Sequence, residues 1–220
     1  MKKKATRTIR TETWQSYAWQ AQSLLLAYPD EQFGQRLALA DRVAATLPDP
    51  VAEPLLRFTG HAAQSAPADL ATAYVATFDH RKRCCLYLTY YAHGDTRKRG
   101  LALLSLKQTY AAAGWRLADD ELPDHLAVVL EFAATDPPTG QRLLSDHRAG
   151  LELLRLALTD DGSPWAHVLD SVSATLPALA GDDREAVLRL AAQGPPEEQV
   201  GLDPYASPVF LPDPVVGGLR

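Results

Sequence analysis

The apolar residues recur with the period of an α-helix, and this periodicity narrows the possible folds more than any other feature. The spacing i, i+3, i+4, i+7 places side chains on one face of a helix. It is followed by Leu126, Val129, Leu130 and Ala133. Leucine outnumbers isoleucine 34 to 1, which favours helices over β-strands. Since no convincing alternation with a period of two residues is present, the sequence predicts an all-α fold.

Proline, glycine and aspartate divide the chain into about eight to ten predicted helices. Gly94 suits the left-handed end of a helix over 86–91, and Asp95 is a good N-cap for a helix over 96–113. Further helices are predicted over about 13–28, 119–134, 140–159, 164–176 and 182–193. In the helix over 140–159, one apolar stripe with His147 in its middle is formed by Leu143, Leu151, Leu154 and Leu158. We expect these helices to form a single irregular multi-helix bundle over 13–193.

The two ends of the chain differ from this helical domain in composition. Residues 1–12 carry three lysines and two arginines, and we expect a basic disordered arm there. No apolar segment of a secretory signal follows, and no apolar run is long enough to cross a membrane. Residues 194–220 hold six of the 16 prolines and predict an extended or disordered tail. Because this proline-rich tail also contains Tyr205 and Phe210, it either packs on its own domain or docks into a groove, its own or a partner's.

Composition and missing motifs exclude several kinds of function. The net charge of −5 and the pI of about 5.7 oppose general nucleic-acid binding. Cys84 and Cys85 are the only cysteines, and two adjacent cysteines cannot complete a zinc or iron–sulfur site. The chain lacks phosphate-binding glycine loops, nucleophile elbows and zinc-protease motifs. The absence of these motifs does not exclude catalysis, but it favours binding over catalysis. We expect no metal and no cofactor, and we place the protein in the reducing cytoplasm.

Two basic clusters surround a tyrosine-rich segment in the middle of the chain. Residues 81–83 and 97–99 each contain three cationic side chains. If a helix connects them, Tyr87 and Tyr91 share one face and Tyr90 lies on the next. Arginine beside tyrosine can hold a planar or anionic partner. The alternative is that these charges are only solvated helix ends.

A second informative segment covers residues 118–134. Glu121, Asp124 and His125 are expected near the N-terminus of its predicted helix, where free backbone N–H groups and a titratable imidazole can bind a polar group. The alternative is a capping arrangement with exposed side chains.

Three runs together carry a resemblance to a known family. They are Y-V-x-T-F-D at 74–79, L-T-Y-Y-x-H-G-D-T-R-x-R-G-x-A-L at 88–103 and D-E-L-P-D-H-L-x-V-V-L-E-F at 120–132, with L-L-x-Y-P-D at 25–30 in keeping. The chain resembles, over about 14–160, the NarJ-type assembly chaperones of respiratory nitrate reductase. These are also called its delta subunit and are grouped with the TorD and DmsD types of redox-enzyme maturation chaperone.

The resemblance implies a non-catalytic, cytoplasmic, all-helical chaperone. Its implied partner is the apo catalytic subunit of nitrate reductase, bound chiefly through the N-terminal peptide. It would hold that subunit ready for insertion of the molybdenum cofactor before membrane attachment. The resemblance also implies that Pro123, Asp124 and His125 belong to the region that binds the partner's leader peptide.

We therefore expect a groove between helices that accepts an amphipathic peptide helix. Its apolar floor is predicted to contain Tyr87, Tyr90 and Tyr91. Asp95, Glu121 and Asp124 are predicted to meet basic residues of the peptide, and Arg97 and Arg99 its acidic residues, with His125 nearby. Two other functions stay open: a helical carrier that holds a nucleotide or pterin phosphate through its arginines, and a DNA-binding regulator with a helix-turn-helix around 84–113.

Overall fold

The computed structural model describes residues 13–118, 121–179 and 181–194. Within these ranges the chain forms eleven α-helices and a 3₁₀ turn at Lys82–Cys84. The helices are α1 Thr13–Leu26, α2 Phe33–Ala44, α3 Asp49–Gln64, α4 Pro67–Phe78, α5 Leu88–His93, α6 Arg97–Ala112, α7 Leu126–Thr135, α8 Pro137–Asp146, α9 Arg148–Asp160, α10 Ala166–Ala174 and α11 Asp182–Gln193. The predicted all-α fold is confirmed. The expected basic arm and residues 195–220 of the expected tail lie outside the described residues.

Helix α1 lies at the centre of the bundle and packs against α2, α7 and α10. Trp19 is completely buried, and its indole N–H donates to Thr175 Oγ1 at 2.9 Å. Gln22, also completely buried, donates to Ser171 Oγ at 2.9 Å. Buried polar groups are costly unless they are hydrogen-bonded, so these pairs fix how α1 meets α10. Among the described helices, none is long and apolar enough to span a membrane.

An aromatic cluster joins α3 and α4 to the start of α10. Trp165 is completely buried and lies 5.5–5.7 Å, between ring centroids, from Phe58, Tyr74 and Phe78. Its indole N–H donates to the carbonyl of Leu25 at 3.3 Å. Aromatic pairs in tilted and edge-on arrangements add stabilisation beyond the burial of their area. The cluster therefore sets the position of α4, which carries Tyr74 toward the candidate site.

A buried ion network joins α9 to α10. Glu152 is 2% exposed and lies within 2.9 Å of both Arg148 Nε and Arg155 Nε. Ser173 Oγ donates to its carboxylate at 2.6 Å, and Arg155 reaches Asp170 at 3.1 Å. Although burial opposes it, the hydrogen bonds from Ser173 and Arg155 and the arginine charges leave the pKa of Glu152 below its usual value. Apolar spacing could not reveal this network, since Glu152 sits beside a leucine stripe.

Several predicted helix boundaries differ from the structure. The segment predicted as one helix over 140–159 is two helices that meet at His147, although the leucines of its stripe are buried in both. Helix α7 begins at Leu126, not near 120. The segment before α5 is extended at Tyr87, so the prediction that Tyr87 and Tyr91 share a helix face is wrong. The N-cap position of α6 is held by Thr96, one residue after the predicted Asp95.

Candidate functional site

The two segments singled out in the sequence meet through their backbones. The N–H of Leu88 donates to the carbonyl of Asp124 at 2.9 Å, and the N–H of Leu126 donates to the carbonyl of Leu86 at 2.8 Å. Tyr87 and His125 thus face each other in an antiparallel bridge. Extended backbone at Tyr87 makes this pairing possible and explains why α5 starts after it. The bridge joins residues 38 positions apart into one site.

Asp124 lies beneath this bridge and is completely buried. Its Oδ2 accepts a short hydrogen bond from the hydroxyl of Thr89 and a longer one, at 3.3 Å, from the Thr89 N–H. Arg99 of α6 lies 3.5 Å from the same oxygen and donates to Thr89 Oγ1 at 3.2 Å. Within the part of the chain that the structure describes, Asp124 Oδ1 has no hydrogen-bond partner. Asp124 therefore ties the starts of α5, α6 and α7 together rather than facing solvent.

Arg99, Tyr87 and His125 form a stack that leads from this buried carboxylate to the surface. The guanidinium of Arg99 lies 5.5 Å from the centre of the Tyr87 ring, a cation–π distance. The rings of Tyr87 and His125 are 5.4 Å apart and nearly perpendicular. His125 Nδ1 accepts the N–H of Ala127 at 3.3 Å and so caps α7. Burial lowers the pKa of His125 and raises the pKa of Tyr87, so both rings are neutral at pH 7.

A cleft of about 460 Å³ opens beside this stack. We call it the tyrosine cleft. It is lined by Gln20, Ser23, Leu24, Ala27, Tyr28, Tyr74, Tyr87, Glu121, Leu122, His125, Ala127, Val128 and Glu131. The packing of α1 against α7 forms its floor. Tyr74 donates its hydroxyl to the carbonyl of Leu26 at 2.9 Å and packs edge-on against Tyr28 at 5.5 Å, which fixes its far wall.

Two carboxylates give the tyrosine cleft an acidic rim. Glu121 and Glu131 are both exposed and lie at its edge. Partial burial, and secondarily the charge of Glu121, raise the pKa of Glu131 above its usual value. Aromatic and aliphatic walls with an acidic edge suit an amphipathic segment that carries a positive charge. Among the described residues no group of three or more potential metal ligands comes together.

Tyr90 and Tyr91 lie away from the tyrosine cleft and line a second one. We call this the lateral cleft; its volume is about 500 Å³. It is lined by Lys82, Arg83, Tyr90, Tyr91, Leu153, Leu156, Ala157, Asp160, Leu190, Ala191 and Gly194. Tyr91 is buried, with its hydroxyl donating to the carbonyls of Arg83 and Cys85. The three tyrosines that were expected in one groove are thus divided between two clefts.

The charged residues of the predicted site divide in a similar way. Arg99 is held by Asp124 and by Asp95, 3.4 Å away, so its charge is used inside the site. Arg97 is exposed on the first turn of α6. In the other basic cluster, Arg81 pairs with Asp161 at 2.6 Å and Arg83 pairs with the same carboxylate. These ion pairs engage Arg81, Arg83 and Arg99, which are three of the six cationic side chains on which the nucleotide-carrier alternative depends.

Sequence reasoning missed the wall formed by α1 and α4. Leu24, Tyr28 and Tyr74 line the tyrosine cleft, although none was predicted as a site residue. Tyr28 and Tyr74 belong to two of the runs that carry the family resemblance. The resemblance could therefore have pointed to Tyr28 and Tyr74 as site residues. Only the fold shows that their two runs meet the run at 120–132 in one cleft.

Comparisons with known proteins identify the family. A family model described as "Nitrate reductase delta subunit" matches residues 44–170, which is more than half of the chain. The chain belongs to the nitrate reductase delta subunit family. The matched span of this delta-subunit family model includes both sides of the bridge between Tyr87 and His125. The predicted family is therefore confirmed.

Individual relatives agree with this assignment. The "Nitrate reductase-like protein NarX" of Mycobacterium tuberculosis is 42% identical to this chain over the matched residues. The match covers 74% of this chain and 24% of the mycobacterial protein. The Bacillus subtilis protein named "Probable nitrate reductase molybdenum cofactor assembly chaperone NarJ" is 34% identical over 71% of this chain and 86% of its own length. The chain thus spans only about a quarter of the mycobacterial relative. The name of the Bacillus protein is that of an assembly chaperone, in agreement with the predicted non-enzymatic role.

One solved structure shares the fold. A crystal structure of a proposed redox enzyme maturation protein from Archaeoglobus fulgidus superposes with a TM-score of 0.54. The match covers 86% of this chain and 99% of that protein, at 22% sequence identity. This likeness supports the helical architecture described above.

Proposed function

We propose that this protein is an assembly chaperone for respiratory nitrate reductase. It binds the apo catalytic subunit in the cytoplasm, chiefly through that subunit's N-terminal peptide. It keeps the subunit ready to receive the molybdenum cofactor and away from the membrane until loading is complete. The names of the NarJ relatives support the chaperone role, and the tyrosine cleft supports peptide binding.

The observation that carries this proposal is the composition of the tyrosine cleft. Its walls come from α1, from two of the runs that carry the family resemblance, 74–79 and 120–132, and from Tyr87, which directly precedes the third run. The walls present aromatic and aliphatic surface, while Glu121 and Glu131 supply negative charge at the rim. An amphipathic helix laid in this cleft would bury its apolar face and place a lysine or arginine beside the carboxylates. Complementary charge of this kind favours specificity and fast association.

Calorimetric titration tests the proposal directly. The full chain is titrated with a synthetic peptide of the first ~20 residues of the same organism's nitrate reductase catalytic subunit, a length that forms a helix of about 30 Å. We expect saturable one-to-one binding. The variant Glu121→Gln with Glu131→Gln should weaken binding about three- to tenfold, since it removes rim charge without disturbing the core.

Glu185→Gln is the matched control, because Glu185 is exposed on α11 and lines neither cleft. It should bind the peptide as the wild type does. Absence of binding, combined with failure of the apo catalytic subunit to co-purify, would contradict the chaperone proposal. Binding that is equally weakened by the control would contradict the tyrosine cleft as its location.

A further inference from the structure

The lateral cleft presents apolar surface that the described residues leave partly open. Leu156 of α9 is 41% exposed, and Tyr90 and Leu190 are only half-buried. The cleft shares no lining residue with the tyrosine cleft. A mainly apolar concavity of this size marks a place where another segment packs. The segment that fills the lateral cleft can therefore be identified independently of client binding in the tyrosine cleft.

The edge of the lateral cleft is basic. Lys82 lies on this edge, exposed, and forms no ion pair with any described residue. Arg83 beside it is paired with Asp161, and Asp160 is the one carboxylate among the lining side chains. Lys82 therefore offers a free positive charge beside exposed leucine and tyrosine side chains. The cleft suits a segment that is apolar and carries acidic residues at one end.

The chain itself supplies such a segment at this position. Helix α11 ends at Gln193, and its C-cap residue Gly194 lines the lateral cleft and has a φ of +70°. Glu197 and Glu198 follow three and four residues later, within about 10–14 Å of extended chain. Apolar residues come next, and they are Val200, Leu202, Tyr205, Val209 and Phe210. The acidic residues come first in this segment and suit Lys82 at the edge of the cleft. The apolar residues come after them and suit the leucines in its floor.

We propose that the proline-rich tail of this chain, residues 195–220, docks into the lateral cleft of its own helical domain. Glu197 or Glu198 pairs with Lys82, and the apolar residues that follow cover Leu156 and Tyr90. Attachment at Gly194 gives the tail a high effective concentration at the cleft, so a modest interface is enough to hold it. Docking would leave the tyrosine cleft free for a client.

Cross-linking of the full chain tests this proposal. A zero-length carbodiimide joins an amine to a carboxylate only when the two are in contact. We expect the monomer to yield a link between Lys82 and Glu197 or Glu198, identified by mass spectrometry. Leu156→Glu should reduce this link about tenfold, since it places a charge on the apolar floor. Leu101→Glu is the matched control, because Leu101 is 71% exposed on α6, and it should leave the link unchanged.

Each other outcome overturns the proposal. Links from Glu197 and Glu198 that reach Lys107 of α6 as often as Lys82 would mean that the tail has no fixed site. Links found only between chains, in a mixture of isotope-labelled and unlabelled protein, would assign the tail to a second copy. An unchanged link in Leu156→Glu would remove the lateral cleft from the contact. Peptide titration of the same variants reports on the tyrosine cleft separately, so failure of one proposal is distinguishable from failure of the other.

Discussion

At the scale of single residues, Asp124 determines how the two motif segments are held together. It is completely buried, and its Oδ2 accepts a hydrogen bond from the Thr89 hydroxyl and lies 3.5 Å from the guanidinium of Arg99. Asp124→Asn removes the charge that Arg99, itself only 20% exposed, faces inside the site. We expect the free energy of unfolding to fall by about 2 kcal/mol, because a buried charge loses its partner. Urea denaturation of the full chain measures this loss.

The matched control for Asp124 is the other carboxylate on the same arginine. Asp95 lies 3.4 Å from Arg99, but its side chain is 66% exposed. Asp95→Asn should therefore cost less than about 0.5 kcal/mol, as is usual for surface ion pairs. Equal losses in the two variants would show that burial does not distinguish their roles. The sequence predicted both aspartates as partner contacts, since membership of a motif says nothing about which carboxylate the fold buries.

At the scale of helices, close packing depends on two glycines at positions where a side chain would have no room. A Cβ placed on Gly140 would lie 2.2 Å from Ala133 Cα, where α8 meets α7. One on Gly150 would lie 2.8 Å from Tyr91 Cβ. Gly140→Ala should lower the free energy of unfolding by about 2–3 kcal/mol, because backbone atoms of α7 must move to relieve the overlap. Thermal and urea unfolding both measure this change.

Gly100 also lies in an α-helix, but its replacement by alanine should stabilise the protein. It lies inside α6, and a Cβ there would meet nothing within 4 Å. Gly100→Ala should raise the free energy of unfolding by about 0.5–1 kcal/mol, since alanine has the higher helix propensity. If both alanine variants destabilise the protein equally, close approach at Gly140 is not what requires a glycine.

Helix boundaries show what the sequence could and could not predict at this scale. Periodicity identified the buried face of α7 and the buried leucines on either side of His147. It could not show the break at His147, because the stripe continues through it. It also placed Tyr87 in a helix, whereas a backbone bridge to His125 holds that residue extended. The spacing of apolar residues along the chain cannot reveal a contact between positions 38 residues apart. The tyrosine cleft could therefore be identified only from the three-dimensional structure.

At the scale of the whole molecule, two half-buried histidines link stability to pH. Burial lowers the pKa of His125 and of His147 below their ordinary value of 6.5. The unfolded chain therefore binds more protons than the folded one below about pH 6.5. The free energy of unfolding should fall as the pH is lowered from about 7 toward 5, until the folded imidazoles also take up protons. The lowered pKa of Asp30, Glu152 and Asp161 acts in the same direction, but only nearer pH 4.

Urea denaturation at several pH values between about 5 and 7.5 measures this dependence. The double variant His125→Gln with His147→Gln should flatten the slope, because the unfolded chain then gains two fewer protons. His61→Gln is the matched control, since His61 is exposed on α3, and it should retain the wild-type slope. A slope unchanged in the double variant would mean that other groups set the dependence.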